Sequence, residues 1–144
     1  SAQPIFLALN GVRDWAQNTK DIHGKRLIDS EWVQLNLARV HAKAEVLKLI
    51  NWELASATDA TPSPADASAA KVYGTELATE AYRLLMEVLG TAATLRTDSP
   101  RALLRGRIER MHRSCLILTF GGGTNEIQRD IIGMVALGLP HASR

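Results

Sequence analysis

The sequence is short of several things. It has one cysteine, Cys115, so no internal disulfide can form, and a reducing, cytoplasmic setting is the simplest expectation. Aromatic residues are only 5%, which argues against a sandwich or barrel core. No apolar run approaches the roughly 18 residues needed to cross a bilayer, and no signal peptide is visible. The four histidines, His23, His41, His112 and His141, show no metal-ligand spacing, so no metal site is expected. Excess charge is lacking too: the formal net charge is +2. Arginines do gather between Arg96 and Arg113, but no nucleic-acid recognition motif accompanies them, and a salt-bridged helix face accounts for such a run.

What the sequence has is alanine, leucine and helical periodicity. With 144 residues, 46% of them hydrophobic, it suits one domain with one core. It begins at Ser1 directly in an apolar stretch, Ile5 to Leu9, and reads as a piece of a longer protein. A first helix is expected from about Pro4 to Lys20, with Ile5, Leu9, Val12 and Ala16 at helical spacing. Gly24 breaks the segment that follows, Asp21 to Asp29.

A second helix opens at Asp29 or Ser30, whose side-chain oxygens can cap it. It carries one stripe of Val33, Leu37, Val40, Ala44, Leu47 and Leu54, and a second of Trp32, Leu35, Val46, Leu49 and Ile50. Two stripes imply cover on more than one side. At about 1.5 Å per residue the helix is a rod of roughly 40 Å, the length of a bundle helix. A linker, Thr58 to Pro64, leads to a third helix with Ser63 as cap and Pro64 and Asp66 in its first turn, ended by Gly90. Ser99-Pro100 repeats that start signal for a fourth helix reaching about Thr119. A last short helix runs from Asn125 to Leu137, with Gly138 and Pro140 beyond. The expected fold is all-α: an antiparallel four-helix bundle with a short extra C-terminal helix.

One segment differs from the rest. Gly121-Gly122-Gly123-Thr124-Asn125-Glu126-Ile127-Gln128-Arg129 places three glycines before a helix N-terminus. Without Cβ atoms the backbone can turn sharply and another group can approach closely. The free N–H groups there favour an anion or a polar acceptor. Thr124 or Asn125 can cap the helix, and with Asn125 as cap Gln128 reaches back from the third helical position. A plain flexible turn explains the same residues, and physics alone leaves both readings open.

The run Phe120 to Arg129, followed by Ile131-Ile132 and Leu137-Gly138-Leu139-Pro140, resembles the C-terminal signature of the acyl-CoA dehydrogenases. Weaker similarity extends over Asp29 onward, the Trp52 region, Ala69 to Lys71 with Gly74, and Leu89-Gly90. The resemblance implies that residues 1–144 are the C-terminal helical domain of such a protein. FAD would lie between this bundle and a β-domain, contacted by Gly121, Gly122, Gly123, Thr124, Glu126 and Gln128. It also implies an acyl-CoA substrate, an electron-transfer-flavoprotein-like acceptor, and bundles that assemble as a dimer or tetramer of like or unlike subunits.

The departures from the family matter as much. Many members carry the catalytic base as a glutamate in this loop, and Gly122 stands at its position, so no catalytic residue is assigned here. Glu126 matches a non-catalytic acid of the signature. The family's arginine that reaches a neighbouring subunit's FAD corresponds to Lys20, within Lys20-Asp21-Ile22-His23-Gly24, and lysine lacks the bidentate fork. The glutamine and double glycine of a second FAD-contacting motif correspond to Glu87 and Gly90-Thr91. This pattern resembles members that pair two unlike subunits. A non-catalytic subunit completing a partner's flavin site is therefore an alternative, and a purely structural bundle is a third. Trp15, Trp32 and Trp52 are expected in the bundle or its interface, and Cys115 is expected to be buried and inert.

Overall fold

A computed structural model of the chain describes residues 1–56 and 61–141. Thr58, Asp59 and Ala60 of the expected linker lie outside the described residues. Among the described residues there are five α-helices: α1 Gln3–Asn18, α2 Glu31–Ser56, α3 Pro64–Leu89, α4 Arg107–Cys115 and α5 Asn125–Leu137. There is no strand among the described residues, only an isolated bridge between Lys20 and Arg26. No helix among them is long and apolar enough to cross a membrane.

α3 is the central element and packs against α1, α2, α4 and α5. Its sequence explains why. Buried residues occur around its circumference, among them Val72, Leu77, Ala81, Tyr82, Leu85 and Val88, so every neighbour finds an apolar face. Fully burying a residue such as Leu85 stabilises by roughly 1.5–3 kcal/mol relative to leaving it in water. The helix ends match the sequence signals. Ser63 Oγ accepts a hydrogen bond from the Ala65 amide at 3.2 Å, and Gly90 closes the helix at φ +72°, donating to the Met86 carbonyl.

Pairing shows the helix directions. Asn36 of α2 reaches Leu84 and Glu87 of α3, Lys43 reaches Glu80, and Tyr73 donates to the Lys43 carbonyl. The numbers rise on α2 as they fall on α3, so the two helices are antiparallel. They come close at Gly74, where a Cβ would sit 3.3 Å from Leu47 Cδ1. The α4 region also runs against α3, since Cys115 meets Thr79 while Thr119 meets Lys71.

α1 stops two residues earlier than the sequence suggests. Thr19 is extended and its carbonyl accepts from the Leu27 amide at 2.9 Å. Asp21 organises the turn between them by accepting from the His23 and Lys25 amides at 2.8 and 2.9 Å. On α2 the first apolar stripe is buried as expected from Val33 through Leu37, Val40 and Ala44 to Leu47, and its last member, Leu54, is half-buried. Of the second, Ile50 is half-buried, while Trp32, Leu35, Val46 and Leu49 are exposed together with Trp52. Trp15 is packed against the core.

The fourth helix differs most from expectation. Ser99-Pro100 forms a turn, with Ser99 Oγ accepting from the Arg101 amide at 3.4 Å. The helix starts only at Arg107, because Leu104, Arg105 and Gly106 adopt φ values of +49°, +57° and +64°. A right-handed helix cannot pass through three left-handed residues. Gly106 is required there: a Cβ would lie 2.7 Å from the Thr97 backbone nitrogen. After Cys115 the chain tightens into a 3-10 turn, Leu116–Thr119, and reaches the glycine triplet where the sequence places it.

Candidate functional site

The glycine loop is built from both of its flanks. Upstream, the amides of Phe120 and Gly121 donate to the Ile117 carbonyl at 3.2 and 2.8 Å, closing the 3-10 turn. Downstream, Thr124 is the cap of α5: its hydroxyl accepts from the Ile127 amide at 3.3 Å and its carbonyl from the Gln128 amide at 3.0 Å. Of the two candidate caps, then, threonine takes the role. Gln128 consequently sits at the fourth helical position, and its Nε2 reaches back to the Gly122 carbonyl at 3.3 Å.

Asn125, freed from capping, points into the bundle and is only 4% exposed. Its side chain donates to Glu76 Oε1 at 3.1 Å and shares a 3.2 Å contact with Thr75 Oγ1. Arg129 adds a 2.7 Å ion pair to the same Glu76. Lys71 of α3 completes the cluster, donating to Asn125 Oδ1 at 2.6 Å, the Gly123 carbonyl at 2.9 Å and the Thr119 carbonyl at 3.3 Å. Among these residues, sequence reasoning noticed Lys71 and Asn125 but not what joins them. The signal available was a buried-side asparagine at the head of an amphipathic helix, which demands polar partners.

The carbonyls of Thr119, Gly122, Gly123 and Thr124 are thus occupied, while the amides of Gly122, Gly123 and Thr124 donate to no acceptor among the described residues. Gly122 and Gly123 have φ of +72° and +96°, conformations that favour glycine. A Cβ on Gly122 would meet nothing within 4 Å, so a ligand can lie directly on the backbone there. A Cβ on Gly123 would sit 2.9 Å from Gln128 Nε2. Successive free amides in such a turn, next to a helix N-terminus, attract an anion or a carbonyl oxygen.

No side chain in the loop can serve as a base. Glu126 is exposed, and its own amide, then the Thr124 hydroxyl, hold its carboxyl below the usual carboxylate range. A general base works best with a pKa near the operating pH, and these hydrogen bonds move Glu126 the other way. Cys115, buried beneath the loop, donates to the His112 carbonyl at 3.1 Å, and burial pushes its thiol pKa up. It is a packing residue, as the sequence suggests. A cavity of about 390 Å³ lined by Lys71, Thr75, Tyr82, Cys115 and Leu118 runs alongside the loop's anchoring helix.

The remaining sequence-predicted contacts lie elsewhere. Lys20 follows α1 and is exposed, and Glu87 and Gly90 end α3. Asn36 in the second turn of α2 bonds Glu87 Oε2 at 3.1 Å, so these residues share the end of the bundle where α1 gives way to α2. Lys71 and Glu87 are sixteen residues apart on one helix, or about 24 Å. The loop group and the Lys20–Glu87–Gly90 group therefore belong to different surfaces of one chain. The second surface is also altered in charge: Glu87 is held by Arg83 at 2.6 Å, presenting a paired carboxylate.

Comparison with known proteins places this architecture. Residues 2–137 match the family model described as acyl-CoA dehydrogenase, C-terminal domain. The chain is 82% identical to the acyl-CoA dehydrogenase FadE26 of Mycobacterium tuberculosis, over 100% of this chain and 37% of that protein. It superposes on a chain of the ChsE4-ChsE5 complex from Mycobacterium tuberculosis with a TM-score of 0.95 and 84% identity, covering 99% of this chain and 37% of the other. The Tcur3481-Tcur3483 steroid ACAD matches with a TM-score of 0.88 and 36% identity, over 98% of this chain and 35% of that one. The chain thus spans just over a third of the length of the relatives it matches. With the long helices, the central α3 and the Phe120 to Pro140 signature in their places, the chain belongs to the acyl-CoA dehydrogenase family and is the C-terminal domain of one of its members.

Proposed function

We propose that this domain forms the flavin-facing and oligomer-forming part of an FAD-dependent acyl-CoA dehydrogenase, whose catalytic base lies outside residues 1–144. The observation that carries the reading is the loop itself, with free amides at Gly122 and Gly123 over a glycine backbone that is open at Gly122, and the family resemblance puts Gly122 where a base would stand. The loop fits a bound cofactor or thioester, because it offers donors without a side chain in the way. FAD, when bound, supplies the hydride-accepting chemistry of α,β-dehydrogenation. The chain's own part is to bind and orient: the Gly122 and Gly123 amides offer hydrogen bonds to acceptor oxygens, and Gln128 and Lys71 hold the loop that carries them.

The separation of the two residue groups supports a site shared between subunits. Lys20, Glu87 and Gly90 would face a neighbouring subunit's flavin, not the one at this chain's loop. Glu87 is a poor match for a flavin pyrophosphate, since like charges repel. A second reading follows from that and from Gly122: the chain is a non-catalytic subunit that completes a partner's flavin site. The hetero-complex of similar structures favours unlike partners, and the steroid ACAD suggests a steroid side-chain thioester as substrate. An electron-transfer-flavoprotein-like acceptor would reoxidise the flavin.

Coexpression tests both readings. The full-length protein purified with an unlike acyl-CoA dehydrogenase subunit should be yellow and reduce an artificial acceptor with an acyl-CoA. Turnover by the full-length chain alone would exclude the non-catalytic reading. A colourless complex that cannot be loaded with FAD would exclude both.

A further inference from the structure

Lys71 draws together pieces of the loop that the sequence separates. Its Nζ has three protons and three acceptors: the Thr119 carbonyl where the 3-10 turn ends, the Gly123 carbonyl where the triplet ends, and Asn125 Oδ1 inside the bundle. The two carbonyls bracket Phe120, Gly121 and Gly122. Asn125 is itself fixed on α3 through Thr75 and Glu76, and Arg129 fixes Glu76 from the next turn of α5. Glycine resists order more than any other residue, so a triplet holds one shape only if its surroundings impose it. From the bundle side the imposing group is a half-buried ammonium on the central helix of the fold, and Gln128 adds a hold on the Gly122 carbonyl from α5.

We infer that Lys71 is the positioning residue of the flavin-facing loop: by binding the carbonyls of Thr119 and Gly123 from the bundle side, it leaves the Gly122 and Gly123 amides available to the ligand. A peptide unit has two polar sides, so a cation that occupies carbonyls at both ends of a short loop constrains where its amides can be directed. Arginine cannot reproduce this arrangement, because its planar fork cannot converge on three acceptors around one atom. Methionine removes this donor from the two carbonyls and leaves Asn125 Oδ1 only the Thr75 hydroxyl, while glutamine, with two amide protons and no charge, cannot serve all three acceptors. Lys71 touches no reacting atom; it acts through the loop. The inference rests on the reading of the loop as flavin-facing only for its consequence, not for the clamp itself.

The test uses the full-length protein in complex with its partner subunit and compares Lys71→Met, Lys71→Gln and Lys71→Arg with the unaltered chain. Amide hydrogen exchange is followed by mass spectrometry, and the flavin's visible absorption is recorded on the same samples. In Lys71→Met and Lys71→Gln, exchange over residues 119–128 should rise at least tenfold while α2 is unchanged. The bound flavin's absorption envelope should lose its fine structure, with Lys71→Arg falling between. A loop whose exchange is unchanged in both neutral variants overturns the inference. So does a rise spread equally over α2 and α3, which marks Lys71 as an ordinary stabilising residue. If the unaltered complex takes up no flavin, the reading of the loop as flavin-facing fails, while the exchange data still decide the clamp.

Discussion

Glycine is used here for two different physical reasons, and substitutions separate them. Gly106 has a positive φ and no room, because a Cβ would meet the Thr97 backbone at 2.7 Å. Gly122 has a positive φ and open space. Gly106→Ala should therefore cost at least about 2 kcal/mol, combining left-handed strain with a backbone clash, whereas Gly122→Ala should cost only about 1 kcal/mol. Urea unfolding of the two variants checks this ranking, and equal losses would contradict it. Gly122→Glu would likewise find room for its side chain, at the same cost of about 1 kcal/mol for a non-glycine residue on a backbone at φ +72°. At Cys115, burial raises the thiol pKa and hides the sulfur. Labelling with a disulfide reagent at pH 8 should be at least tenfold slower in the native protein than in denaturant. Equal rates would mean that the α4 region opens freely.

Among the elements, α1, α2, α3 and α5 were legible because each follows a local rule. Ser63-Pro64 and Gly90 bound α3 as capping chemistry requires, and the stripe from Val33 to Leu47 meets the core. α4 was not legible. Ser99-Pro100 carries the same start signal as Ser63-Pro64, yet Gly106 packs on Thr97 and forces a left-handed passage that delays the helix to Arg107. That contact is tertiary, and no local pattern encodes it. The site divides in the same way: Gly121 to Gln128 could be found as a motif, but Lys71 and Glu76 join it only through the packing of α3 on α5. Acid should weaken local ion pairs within the elements. Arg26 beside Asp29, by hydrogen bond and then by charge, holds the Asp29 carboxyl below its ordinary range, and Arg113 does the same for Glu109. A depressed carboxylate stabilises fully above its unfolded pKa, and that contribution is lost as pH falls through the folded value. Stability should therefore decline below about pH 4, and Asp29→Asn should show a shallower acid limb in thermal unfolding scans. An unchanged limb would place the acid sensitivity elsewhere.

For the molecule as a whole, the decisive feature is what this chain leaves uncovered. Trp32, Leu35, Val46, Leu49 and Trp52 form an apolar face on α2 that is exposed among the described residues. The sequence predicted cover on two sides of α2, and the structure supplies one, which is what an assembling subunit requires. A charge on that face, such as Leu49→Asp, should shift the full-length complex to smaller species in size-exclusion chromatography with light scattering. An unchanged mass would remove the face from the interface. Two groups of proposed flavin contacts, one held by Lys71 and the other at Glu87 about 24 Å further along α3, point the same way. So does a glycine loop that presents donors but no base. The most direct measurement of the central claim is flavin content together with acyl-CoA-dependent dye reduction, made on the full-length protein copurified with an unlike acyl-CoA dehydrogenase subunit. The account predicts a yellow complex that is reduced by acyl-CoA; a colourless complex that takes up no added FAD would contradict it.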